Sequence, residues 1–154
     1  MAGSKWKAKW EGDKVAAEEN KAISHRADEE LFDRGSLEVA DELFALNFVY
    51  HDPVSGEDWR GPESVKQYAA MMRAAFPDLY YIVEDQIAEG DKVATRYRAG
   101  GTHQGEIMGI APTSNRVEIT GISIARVDGG KIEEIWENYD ALGMMQQLDV
   151  IPSP

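Results

Sequence analysis

Near the end of the sequence an aromatic, an amide and an acid alternate: Trp136, Asn138 and Asp140. Residues two apart in an extended strand share a face. Lys131 to Asp140 reads as such a strand, with Ile132, Glu134, Trp136, Asn138 and Asp140 on one side. Glu133, Ile135, Glu137 and Tyr139 occupy the other. The large apolar Trp136 marks its own side as the inward one, and Asp140 then ends the strand beside aromatic surface. A carboxyl in that position loses solvation, its pKa rises, and it can exchange a proton near neutral pH as a general acid/base must. The same residue is equally suited to cap a helix starting at Ala141. On the residues alone both readings stand.

There are three histidines. His25 lies among charged helical residues and reads as solvated. His51 follows the apolar run Phe48-Val49-Tyr50, and His103 ends a long strand just before Gly105. Either could orient a polar substrate or share a proton with Asp140, and either could instead satisfy loop backbone groups. Their spacing matches no local metal motif, so no metal site is expected. Met71, Met72, Met108, Met144 and Met145, with Tyr68, Phe76 and Trp136, could line an apolar pocket. The expected substrate-binding set is Tyr50, Trp59, Tyr68, Met72, Phe76, Met108, Trp136 and Asn138. Gly100-Gly101 and Gly105 form no phosphate loop, and no Gly-x-Ser-x-Gly elbow is present.

The elements that must position these residues follow from periodicity. Residues 1–14 stand apart as a tail in which Lys5, Lys7 and Lys9 alternate with Trp6, Ala8 and Trp10. The tail reads as a loosely held terminus, with a lid or partner-binding arm as the functional alternative. Residues 15–150 form the domain, and 151–154 a short C-terminal tail. Val15 to Arg34 predicts a helix with Ile23, Ala27 and Leu31 on its apolar stripe, stopped by Gly35. Ser36 is placed to cap a second helix that buries Leu37, Ala40, Leu43 and Phe44. Gly61-Pro62-Glu63 opens a third, ended by Pro77.

From Leu79 the period switches to two. Strands are expected at 79–88, 91–102, 116–128 and 131–140, with turns at Glu89-Gly90-Asp91 and Asp128-Gly129-Gly130. A last helix over Ala141–Leu148 points Leu142, Met145 and Leu148 inward. Helices followed by a meander indicate α+β. Three helices across one strongly curved antiparallel sheet would close a cone-shaped barrel with a pocket inside.

The totals bound the function class. The chain has 154 residues, 43% of them hydrophobic, which suits one globular domain. Sixteen basic against 28 acidic residues leave a net charge of -12. Such a surface repels phosphate backbones and anionic headgroups, so neither nucleic acid nor membrane is an expected partner. Cysteine is absent, which removes disulfides and thiolate chemistry and suits the cytoplasm. The N-terminus has no long apolar run, so no secretory signal or membrane span is expected. Apolar residues fall on both faces of the late strands, Ile122 and Ile124 against Val117, Ile119 and Val127. That pattern predicts a homodimer joined through the sheet.

Four stretches in order resemble the SnoaL-like polyketide cyclases, also called ester cyclases, of the nuclear transport factor 2-like superfamily. They are Tyr50-His51-Asp52-Pro53; Arg60-Gly61-Pro62-Glu63 with Phe76-Pro77-Asp78; Thr102-His103-Gln104-Gly105 through Met108-Gly109-Ile110-Ala111-Pro112-Thr113; and Gly130-Lys131-Ile132 with Trp136-Glu137-Asn138-Tyr139-Asp140 and Gln146-Gln147-Leu148. Together they cover about residues 15–150. The resemblance implies a cone-shaped, usually dimeric α+β barrel that closes rings on polyketide-like esters by aldol chemistry without metal or organic cofactor. It also implies an acid/base Asp near the end of the last long strand, the place Asp140 matches. The assisting His of the characterised cyclases is missing from 116–127, which leaves His51 or His103 as its substitute. The alternatives are a non-catalytic protein binding a small hydrophobic ligand, and a related isomerase or hydrolase on the same scaffold.

Overall fold

A computed structural model describes residues 2–152. Met1 and the last two residues of the C-terminal tail expected at 151–154 lie outside the described residues. Helix α1 spans Ala2–Arg26 and continues into a wider π-helical turn, Ala27–Asp33. The helix therefore runs back through the stretch that the sequence sets apart as a tail, with Lys7 to Val15 exposed. Ala27 and Leu31 are buried as the periodicity requires. Gly35, at φ 76°, turns the chain out of the helical path.

The second helix is shorter than expected. α2 covers only Val39–Leu43, preceded by Glu38 rather than Ser36, and no side chain caps it. Phe44, expected at the end of its stripe, is already the first residue of strand β1, Phe44–His51. No Gly or Pro separates the two, so periodicity reads across the junction. The exposed loop after β1 returns as a three-residue strand, β2, Asp58–Arg60. α3 follows over Gly61–Ala75, started by Pro62 in its first turn and burying Val65, Ala69 and Ala75.

Four long strands come next: β3 Tyr80–Glu89, β4 Lys92–Thr102, β5 Arg116–Asp128 and β6 Lys131–Tyr139. They lie within a residue or so of the positions that alternation predicts. α4, Ala141–Gln147, closes the chain. It buries Met144, and Leu148 just beyond its end is buried too, whereas Leu142, expected inward, is exposed.

All six strands form one sheet in the order β2-β1-β6-β5-β4-β3. The helices pack on one face of this curved sheet, which makes the domain α+β. Two features differ from the expected antiparallel barrel. β1 pairs with β6 in parallel, so the sheet is mixed. β2 and β3 are free edges, so it does not close into a barrel. One core, around Leu31, Phe44, Phe48, Val93 and Ile132, fills the space under α1 and α2. A second, around Phe76, Ile107, Val117, Met144 and Leu148, seals the end near α4.

β6 carries a bulge that decides what faces inward. Val127 pairs with Ile132, but the next rung joins Arg126 to Glu134, leaving Glu133 extra. One inserted residue exchanges the two faces of the strand beyond it. Ile132 is buried, and after the bulge Ile135, Glu137 and Tyr139 turn toward the helices. Trp136, Asn138 and Asp140 turn outward, opposite to the side that strict alternation assigns them.

Candidate active site

Between the helices and the sheet lies an apolar cavity in two connected parts. The inner part, about 100 Å³, is walled by side chains from almost every element. The π-helical turn supplies Asp28 and Phe32, β1 Tyr50, β2 Trp59, and α3 Tyr68 and Met72. The sheet supplies Tyr81, Tyr97, Ser123, Ile135 and Glu137. Tyr50, Trp59, Tyr68, Met72, Tyr97 and Ile119 also border an outer part of about 280 Å³. Asp52, Ile107, Met144 and Tyr139 complete that outer part, and exposed Val54, Met71 and Met108 rim it. No Lys, Arg or His is among the described residues lining either part.

Glu137 is the polar centre of the cavity. Tyr97 donates to its Oε1 at 2.5 Å and Tyr50 to its Oε2 at 2.6 Å. Burial raises the Glu137 pKa from its ordinary value; the two phenols pull it back, and the nearby Asp52 charge pushes it up again. A carboxyl held in this way, inside the cavity and bridged by two phenols, is placed to take and return a proton. Burial and neighbouring carboxylates also raise the pKa values of Tyr50, Tyr97, Tyr68 and Tyr81, so all four stay neutral donors. Tyr139 is pushed up to about 12 for the same reasons.

Asp28 is the second acid of the cavity. Its Oδ2 is buried with no hydrogen-bond partner. Burial, then the charge of Glu137, raises its pKa well above the ordinary value. Phe32, one turn along, stacks on Tyr81 at 5.9 Å and meets Tyr68 edge-on at 6.2 Å. Aromatic rings thus make up much of the wall around the two acids.

Of the residues expected from sequence, Tyr50, Trp59, Tyr68, Met72 and Met108 line the cavity. Phe76 is buried beneath it, beside a small apolar gap shared with Met72 and Met144. Trp136, Asn138 and Asp140 lie on the other face of the sheet, because the bulge at Glu133 reverses their parity. Asp140 and Asn138 border a shallow groove there with Glu84 and Arg96. Asp140 caps α4, its Oδ1 accepting from Gly143 N at 2.8 Å.

His51 also lies outside the cavity. Its Nδ1 is 2.8 Å from Asp58 and its Nε2 2.8 Å from Glu134, and its ring stacks on Trp136 at 5.5 Å. The hydrogen bond to Glu134, then that to Asp58, raises its pKa against an opposing desolvation. His103 is fully buried against Phe76, and its Nδ1 accepts from Thr113 N at 3.2 Å. It ties the loop after β4 to the strand and reaches neither carboxyl. Among the described residues no three His, Asp or Glu side chains converge to hold a metal.

Sequence reasoning missed Glu137, Asp28, Tyr81 and Tyr97. A signal for Glu137 existed: Ile132 and Ile135 are three apart, off parity in one strand, with Glu133-Glu134 between them. Asp28 sits beside Ala27, four residues before Phe32, and the π-helical turn that carries both places them in the cavity wall.

Comparison with known proteins agrees with this architecture. The family model of the SnoaL-like polyketide cyclases matches residues 22–148. Nogalonic acid methyl ester cyclase of Streptomyces nogalater is 25% identical over 118 residues, covering 76% of this chain and 88% of the relative. The crystal structure of IdmH, a proposed polyketide cyclase of Streptomyces antibioticus, superposes with a TM-score of 0.74. It is 34% identical, and the match covers 84% of this chain and 98% of IdmH. A proposed polyketide cyclase of Acidithiobacillus ferrooxidans matches at 28% identity and TM-score 0.74, over 86% and 95% of the two chains. The chain belongs to the SnoaL-like polyketide cyclase family, with the nuclear transport factor 2-like fold.

Proposed function

We propose that the protein is a cofactor-independent cyclase that closes a ring on a polyketide-like ester by intramolecular aldol addition, with Glu137 as the base. The observation that carries this reading is a carboxylate held by two phenols inside an aromatic cavity. A carbon between two carbonyls is acidic enough for one tuned carboxylate to deprotonate, so the step requires no metal. The aromatic walls fold a flexible substrate until its ends meet, and that proximity lowers the barrier further. The absence of a basic side chain in the lining favours an esterified substrate over one ending in a free carboxylate.

Two features of setting go with this reading. The outer face of the sheet exposes Ile122 and Ile124 beside Trp136, which supports a homodimer through that face. The lack of cysteine fits work in the cytoplasm.

The test is turnover of nogalonic acid methyl ester, the compound named for the Streptomyces nogalater relative, by wild type and Glu137→Gln. The variant keeps shape and loses the titrating carboxyl, so kcat should fall about 100-fold or more. Unchanged turnover in a folded Glu137→Gln protein would remove the base assignment. Tight binding of the ester without conversion would point to a non-catalytic ligand-binding protein instead.

A further inference from the structure

We propose that Asp28 is a second catalytic residue, the neutral acid that protonates the carbonyl oxygen during ring closure while Glu137 serves only as base. This rests on the cyclase reading above and divides its proton traffic between two groups.

The geometry separates the two carboxyls. Glu137 accepts a phenol hydrogen bond on each oxygen, and both bonds favour its charged form. Asp28 has no such support: its Oδ2 is buried in the cavity wall with no donor. Every titratable group facing it is neutral or acidic. Tyr68 comes from α3, Tyr81 from β3, Tyr97 from β4, Tyr50 from β1 and Glu137 from β6. On its own segment Arg26 is committed to Glu30 and Glu42, and Glu29 to Arg34. A buried carboxyl without a donor, beside another carboxylate, holds its proton. Two acids whose surroundings push them apart take the two opposite roles. The π-helical turn that places Asp28 is the kind of local irregularity often found at functional sites.

The step balances without an added reagent. Glu137 carboxylate removes the proton from the carbon between two carbonyls, giving an enolate. The enolate carbon's electron pair forms the new C–C bond to the second carbonyl carbon. The π bond of that carbonyl breaks onto oxygen, which takes the proton of Asp28 and becomes the alcohol. Glu137 now carries a proton and Asp28 a negative charge, and one proton passed between them through solvent restores both. Nothing is oxidised or reduced.

The test reads the proton directly. In the full chain with 13C-labelled aspartate side-chain carboxyls, one Asp resonance should remain in the protonated position at neutral pH. It should vanish in Asp28→Asn and titrate lower in Glu137→Gln, where the neighbouring charge is gone. An Asp28 resonance that is ionised at neutral pH overturns the proposal whatever the substrate turns out to be. With nogalonic acid methyl ester, Asp28→Asn should lower kcat about 100-fold, with KM little changed. If Glu137→Gln is inactive while folded Asp28→Asn keeps full kcat, the two-residue scheme falls and the cyclase reading survives. If Glu137→Gln keeps full kcat, the cyclase reading itself falls.

Discussion

The Tyr97 hydroxyl donates to Glu137 Oε1 from a strand two places away in the sheet, across the floor of the cavity. The bond favours the charged carboxylate and so works against the burial that raises its pKa. Removing it in Tyr97→Phe should raise the Glu137 pKa further. The acid limb of the pH–rate profile should then move to higher pH. A hydrogen bond to a charged group contributes about 1.5 kcal/mol or more, so turnover on the acid limb should fall roughly tenfold. A profile identical to wild type would show that Tyr97 does not tune the base.

Gly121 holds Tyr97 in place by lacking a side chain. It pairs with Tyr97 across the β4–β5 ladder, and an added Cβ would come 2.4 Å from the ring Cζ and hydroxyl. The ring cannot easily retreat, because Tyr97 is buried and stacked on Tyr81 at 4.5 Å. Gly121→Ala should therefore cost about 1–3 kcal/mol in stability, as overpacking does. It should also shift the pH–rate profile in the direction of Tyr97→Phe, since the hydroxyl leaves Glu137. Thermal melts and the profile measured together check this, and a variant as stable as wild type with an unshifted profile refutes it.

The long strands, α3 and part of the cavity lining were legible because alternation and helical spacing are local rules. Tyr68 and Met72 follow from a helical face that nothing interrupts. The acids were not legible for the opposite reason. Parity along β6 is inverted by the single extra residue Glu133, and that residue is extra only relative to β5. The parallel pairing of β1 with β6 joins segments more than eighty residues apart and leaves no local mark. Asp28 shares a helical face with Leu31 and Phe32, three and four residues on, but a carboxyl in a charged stretch reads as solvated until its neighbours enclose it. Each failure lies where partner contacts override a local reading, and two of the three lie at the cavity.

Asp140 has a structural task that predicts a different outcome from catalysis. Its Oδ1 accepts from Gly143 N, and its backbone N–H donates to Thr120 O at 3.0 Å. Asp140→Asn keeps the capping oxygen, so both melting temperature and turnover should stay close to wild type. Asp140→Ala removes it and should cost about 1 kcal/mol with little change in kcat. A stable Asp140→Asn protein with turnover down a hundredfold would return the acid/base role to the strand end.

His51 sets a pH dependence of stability on the outer face. It lies between Asp58 and Glu134, and both hydrogen bonds favour the imidazolium, so its folded pKa is raised. A group whose pKa is raised by folding contributes stability that is fully present below its unfolded value, about 6.5 for His. That contribution is lost as pH rises through the folded value. Glu134 has the opposite sign: His51, then Arg126, lowers its pKa. Its contribution is present above the unfolded value, about 4.3, and lost as pH falls through the lowered one. The pair is therefore strongest between those limits. Melting temperature should decline as pH rises above about 6.5, through the raised folded value, and His51→Gln should flatten the decline. His51 is a third exposed, so the difference should stay below about 1 kcal/mol. Asp28 acts in the same direction, because a raised carboxyl pKa also makes the fold less stable as pH rises toward it. The two are separable: Asp28→Asn should remove its own share of the slope and leave the His51 share intact. The double variant should lose both, and equal slopes in wild type and His51→Gln would show that the outer-face imidazole contributes nothing.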